Sequence, residues 1–277
     1  EIADGDWSSD VCSSDLLMAE SPLVLLSGCA PVSGGGRASF QEMSQVEMAA
    51  PVTKAAWMVR DPERIDREMR TAYRLAASGR PGPVHLSLPV DVLEAEVLKS
   101  APGARASDEA LVGSRPGPDA SGKILEALAA ASRPMILAGP ALMRSAAFHE
   151  AAPVCADKGL PLIGMESPRG VFDPSLGAFS EMLARADCLI LLGKKLDFTL
   201  QQGQSPFLSN QAGLVQIDPD VAVLELTRKN AGDRSLLNLE QANPEQVLNE
   251  MLHRIHNQSS AGSQWSDEVR QALVYQP

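Results

Sequence analysis

The chain has 277 residues, 44% hydrophobic and 21% charged, with 4% aromatic residues and a formal net charge of −11. That length allows two ordinary domains, each with its own core. No apolar run reaches the about 20 residues that a membrane-spanning helix needs, and the acidic balance leaves no basic stripe for nucleic-acid phosphates.

The opening stretch Asp-Trp-Ser-Ser-Asp-Val-Cys-Ser-Ser-Asp-Leu (Asp6 to Leu16) has neither helical nor strand periodicity. It also lacks the basic region and apolar run of a secretory signal. Residues 1–16 carry five acids and no base, so the rest of the chain is only mildly acidic. Over eleven residues the stretch resembles one reading frame of a short-read sequencing adapter, so residues 1–16 are set apart from fold reasoning as adapter-derived. Cys12, Cys29, Cys155 and Cys188 are scattered without a Cys-x-x-Cys pair, which argues for a reduced, cytoplasmic protein and against a zinc site.

The run Ser21 to Pro31 is apolar and closed by Gly and Pro, which reads as a buried strand. A glycine-rich loop, Val32 to Met43, enters a short helix, and Ala49 to Val59 reads as extended. From Asp61 the pattern is helical. Asp61 can cap, Pro62 suits the first helical position, and Gly79 stops the helix. Ile65, Met69, Ala72, Tyr73 and Ala76 fall on one predicted face. The segment Arg80 to Val92 is a turn followed by a buried strand. Residues 99–120, rich in Ala, Gly, Ser and Pro without periodicity, read as a linker.

A second unit begins near Ser121. Helix, strand, helix, strand follow through Met165, then a helix running into the strand around Cys188–Leu192, and another strand ending at Asp218. A last helix presents Val247, Met251, Leu252 and Ile255 on one face. Alternating strands and helices imply an α/β fold with mostly parallel sheets covered by helices.

Residue chemistry alone goes little further. The Ser33 to Phe40 loop lacks both the Lys-Ser/Thr ending of a P-loop and Gly-x-Gly-x-x-Gly spacing. His253 and His256 lie on the last helix without the glutamate of a zinc-protease motif, and no metal ligands are assigned. Asp218 and Asp220 stand at the end of a strand, where α/β sheets bind ligands, although a turn cap is an equal reading.

The order Phe40-Gln41-Glu42, Pro51-x-Thr53-Lys54, Gly79-Arg80-Pro81-Gly82-Pro83-Val84 and Pro89-x-Asp91-Val92 resembles the pyrimidine-binding domain of thiamine diphosphate enzymes. Acetolactate synthase, the 2-hydroxyacyl-CoA lyases and related decarboxylases are the relatives it looks like. The segments around Pro134–Leu142, Ala184–Phe198 and Leu214–Asp220 similarly resemble the family's central domain, so the likeness runs from Ser21 to about Ile255. It implies residues 17–98 as the C-terminal part of the pyrimidine domain, 99–120 as linker and 121–256 as a Rossmann-like, nucleotide-binding central domain. Residues 257–277 would be a linker towards a diphosphate-binding domain.

By that resemblance, thiamine diphosphate lies between subunits of a homodimer or homotetramer and, with Mg2+, acts on a 2-keto acid. Phe40 and Gln41 would line the reacting end of the cofactor, where a neutral amide can hydrogen-bond a developing oxyanion. Lys54 would steer carboxylates towards the substrate channel. Gly139, Gly193, Lys195, Asp197 and Asp218 would serve a FAD or ADP in the central domain. Lys195 stands where the family has arginine, which keeps the charge and loses the planar fork. The family's activating glutamate and its Mg2+-binding Gly-Asp-Gly…Asn signature have no counterpart in this sequence. The chain is therefore expected to be an internal fragment, inactive alone, of an acetolactate-synthase-like parent. A lyase or decarboxylase acting on acyl-CoA, and a non-catalytic nucleotide-binding or partner subunit, are the alternatives.

Overall fold

A computed structural model describes residues 8–34, 36–37, 39, 42–97, 119–255 and 264–275. The chain divides into two compact units, Glu1–Val112 and Gly113–Pro277.

The first unit runs α1 (Ser8–Met18), β1 (Leu23–Cys29), α2 (Gln45–Ala49), β2 (Ala55–Met58), α3 (Ile65–Ala77), β3 (Pro83–Pro89) and α4 (Val90–Leu93). Its three strands are parallel in the order β1-β3-β2. Central β3 is almost wholly buried, with Val84 and Leu86 packed in the core and His85 and Ser87 buried beside them. Strand β1 differs from expectation. It lies at the sheet edge, with Leu26 47% and Leu23 37% exposed, because only β3 pairs with it among the described residues.

Asp61 caps the chain entering α3, accepting from the Glu63 amide at 3.0 Å, and a left-handed Gly79 follows the helix end. Ala72 and Ala76 are buried against Val84 and Leu86, with Ile65 and Met69 beside them. Tyr73 departs from the expected face. It is 72% exposed, one residue round the helix from Ala72. On the other face of the sheet the Gln45 amide ties strands together. Its Oε1 accepts from Ser27 (3.1 Å) and Ser87 (2.7 Å), and its Nε2 donates to the Gly28 carbonyl (2.9 Å).

The second unit runs α5 (Ala120–Ala130), β4 (Pro134–Ala138), α6 (Pro140–Met143), α7 (Ala146–Asp157), β5 (Leu162–Gly164), α8 (Phe179–Arg185), β6 (Cys188–Leu192), β7 (Gly213–Asp218), α9 (Val221–Ala231), β8 (Leu236–Gln241), α10 (Pro244–Ile255) and α11 (Gln264–Leu273). Five parallel strands are ordered β5-β4-β6-β7-β8. The strands β4, β6 and β7 are buried along their whole length, so they carry apolar residues on both faces. One core holds α5, α7 and α10 against the sheet, and the other holds α8, α11 and the end of α9.

Residues 264–273 fall in the segment read as a linker, yet they form α11 with Trp265 and Val269 buried in the second core. The Trp265 indole donates to the Pro134 carbonyl at 2.8 Å, and the Arg185 guanidinium lies 5.3 Å from the ring centroid. The Arg234 guanidinium, 8% exposed, donates to the carbonyls of Leu208, Ser209 and Ala231 and to Asn210 Oδ1, stapling the loop after β6 to the end of α9. Strand β8 and helix α9 complete the sheet's far edge; neither was expected.

Candidate functional site at the sheet switch point

The chain leaves β4 for β5 through α7 on one face and returns to β6 through α8 on the other. The strand order therefore reverses between β4 and β6, and such a switch point opens a crevice at the carboxyl ends of the strands. Gly139 follows β4 and Gly193 follows β6. A Cβ placed on Gly139 would lie 2.1 Å from the Gly193 carbonyl oxygen, so only glycine allows the two backbones to approach. Gly193 turns with φ +63°, a left-handed conformation that glycine adopts without strain. The Gly139 amide donates to the Leu192 carbonyl and the Gly193 amide to the Ile217 carbonyl, both at 2.9 Å, fixing the crevice floor across three strands.

Beyond Gly193 lies a polar network. Lys194 is 5% exposed, and its ammonium donates to Thr199 Oγ1 at 2.7 Å. That hydroxyl donates to Asp197 Oδ1 at 2.6 Å, and the same oxygen accepts the Thr199 amide at 3.0 Å. Gln216, wholly buried on β7, donates to the Lys194 carbonyl at 2.9 Å. Gln201 and Gln202 follow in left-handed backbone, which costs non-glycine residues energy and is held by this surrounding structure. Gly170 packs so closely on the Thr199 carbonyl that a Cβ there would come within 2.0 Å.

Thus Gly139, Gly193, Lys195, Asp197 and Asp218 all belong to the carboxyl-end region of one sheet. Lys195 is half-buried, whereas its neighbour Lys194 is the buried lysine of the network. Asp218, wholly buried at the end of β7, accepts the Asp220 amide at 2.9 Å, and Asp220 caps α9 through the Ala222 amide. Sequence reasoning missed Lys194, Thr199 and Gln216. The first was hidden beside Lys195, and the other two are buried polar residues that only the folded sheet brings to this end.

Alongside the crevice, at the ends of β4 and β5, a cleft of about 290 Å³ is lined by Met143, Gly164, Met165, Glu166, Asp173 and Leu176 among others. Arg144 pairs with Glu166 at 2.9 Å. The Asp173 carboxyl is held below its ordinary range, chiefly by the Ser175 amide that it accepts at 2.9 Å. Among the described residues no group of His, Cys, Asp and Glu is arranged to hold a metal.

In the first unit, Phe40 and Gln41 lie outside the described residues. The Lys54 ammonium donates to the carbonyls of Leu75 and, at 2.7 Å, Ser78, at the carboxyl end of α3. Partial burial lowers its pKa. Asp91 accepts the amides of Val32 (3.0 Å) and Ser33 (3.3 Å), anchoring the glycine-rich loop, and the Val32 amide is the main reason its carboxyl is acidified.

Residues 122–233 match the family described as thiamine pyrophosphate enzyme, central domain. Over 219 residues the chain is 29% identical to a probable acetolactate synthase large subunit of Methanocaldococcus jannaschii, covering 73% of this chain and 36% of that protein. It is 26% identical over 219 residues to the oxalyl-CoA decarboxylase of Escherichia coli K12, covering 75% of this chain and 38% of the relative. Identity to a 2-hydroxyacyl-CoA lyase of Arabidopsis thaliana is 27% over 224 residues, 76% of this chain and 39% of the relative. The chain therefore spans less than half the length of these relatives. The benzoylformate decarboxylase of Polynucleobacter necessarius shares the fold, with a TM-score of 0.65 at 17% identity, over 87% of this chain and 46% of its own.

Proposed function

We propose, from a chain that belongs to the thiamine diphosphate-dependent enzyme family, that it is part of an acetolactate-synthase-like enzyme that decarboxylates a 2-keto acid and joins the product to a second one. The observation that carries this reading is the similarity to a probable acetolactate synthase across 73% of the chain. Similarity to an oxalyl-CoA decarboxylase and a 2-hydroxyacyl-CoA lyase, at 26% and 27% identity, supports a second reading in which an acyl-CoA is decarboxylated or cleaved. A non-catalytic partner subunit is the third.

The residues of the switch point fit a nucleotide such as FAD or ADP. Gly139 and Gly193 bring two strand ends together at the switch point, where α/β folds bind nucleotides, and a pyrophosphate is proposed to lie against that turn. Half-buried Lys195, two residues before the Thr199-bound Asp197, is proposed as the cation that meets the phosphates. Asp218 would serve from below as a fixed acceptor rather than a mobile ligand.

Thiamine diphosphate, when bound, supplies the carbanion stabilisation that 2-keto acid decarboxylation needs. Phe40 and Gln41 are proposed to line its reacting end, with Gln41 hydrogen-bonding a developing oxyanion without a change of charge. Lys54 is proposed to steer carboxylates, a role that requires its ammonium to exchange the helix-end carbonyls of Leu75 and Ser78 for the anion. Mg2+, a homodimeric or homotetrameric assembly and a cytoplasmic setting complete the proposal. No described helix is long and apolar enough to cross a membrane. The 277-residue chain alone is expected to turn over no keto acid.

The test is a substrate comparison on the full-length protein that contains this chain. CO2 release from pyruvate that depends on added thiamine diphosphate and Mg2+ supports the first reading. Release from oxalyl-CoA alone replaces it with the second. Thiamine-independent inertness with intact nucleotide binding favours the third.

A further inference from the structure

We draw no further inference here: the strongest candidate, the exposed apolar edge of the first unit's sheet along β1, with Leu23 and Leu26 at its surface, carries none because nothing among the described residues shows what covers it.

Discussion

A Cβ on Gly139 would sit 2.1 Å from the Gly193 carbonyl oxygen and 2.6 Å from its carbonyl carbon. The obstruction is backbone on both sides, and each backbone is tied to a neighbouring strand, Gly139 to Leu192 and Gly193 to Ile217. Neither can retreat without breaking the sheet ladder.

Gly139→Ala is therefore expected to destabilise the second unit by about 1–3 kcal/mol, the usual cost of overpacking. Urea unfolding should show the loss. Gly28→Ala, where a Cβ meets nothing within 4 Å, serves as the control and should cost far less.

Thr199→Val keeps the shape and removes the hydroxyl that links Lys194 and Asp197. A buried ammonium then loses an acceptor, and a loss of about 1–3 kcal/mol is expected. Thr199→Ser should retain most of the stability, since it keeps the hydroxyl. Denaturant midpoints of the two variants decide it.

Trp265→Ala removes a buried indole from the second core together with its bond to Pro134. The expected cost is about 3–5 kcal/mol. Truncation after Ile255 should lower the melting temperature at least as far, whereas a true linker could be cut with little effect.

Burial pushes the Cys155 thiol up to about 12 and, with Asp187 adding to burial, the Cys188 thiol to about 11, from an ordinary 9.0. Between pH 9 and those values the unfolded chain loses thiol protons that the folded chain keeps. Stability therefore falls as pH rises, by about 1.4 kcal/mol per unit for each thiol, and is unaffected below pH 8. Urea unfolding at pH 8, 9 and 10 should show a shallower decline in Cys155→Ala than in the parent chain, and an equal decline would contradict the assignment.

The central strands were legible because Met135–Ala138 and Cys188–Leu192 are unbroken apolar runs and Leu214–Ile217 is apolar except for Gln216, the pattern of parallel strands buried on both faces. Helix α10 was legible from its spaced Val247, Met251 and Ile255. Helix α9 was not, because a polar Thr227 stands in its buried stripe between Leu224 and Ala231. Strand β8 carries Asn and Glu at a half-exposed sheet edge and has no apolar run to read. Tyr73 follows buried Ala72 directly, and a one-residue rotation of the helix face was enough to misplace it. At the site, glycines and acids could be matched to a family pattern one by one. The approach of Gly139 to Gly193 could not, since it depends on which strands lie side by side.

Thiamine dependence of turnover is the most direct test of the proposed function. The full-length protein containing this chain should be stripped of cofactors and offered a 2-keto acid with and without thiamine diphosphate and Mg2+. CO2 release that appears only when thiamine diphosphate is restored is the expected result. No release under either condition, with oxalyl-CoA likewise untouched, would contradict an enzymatic role.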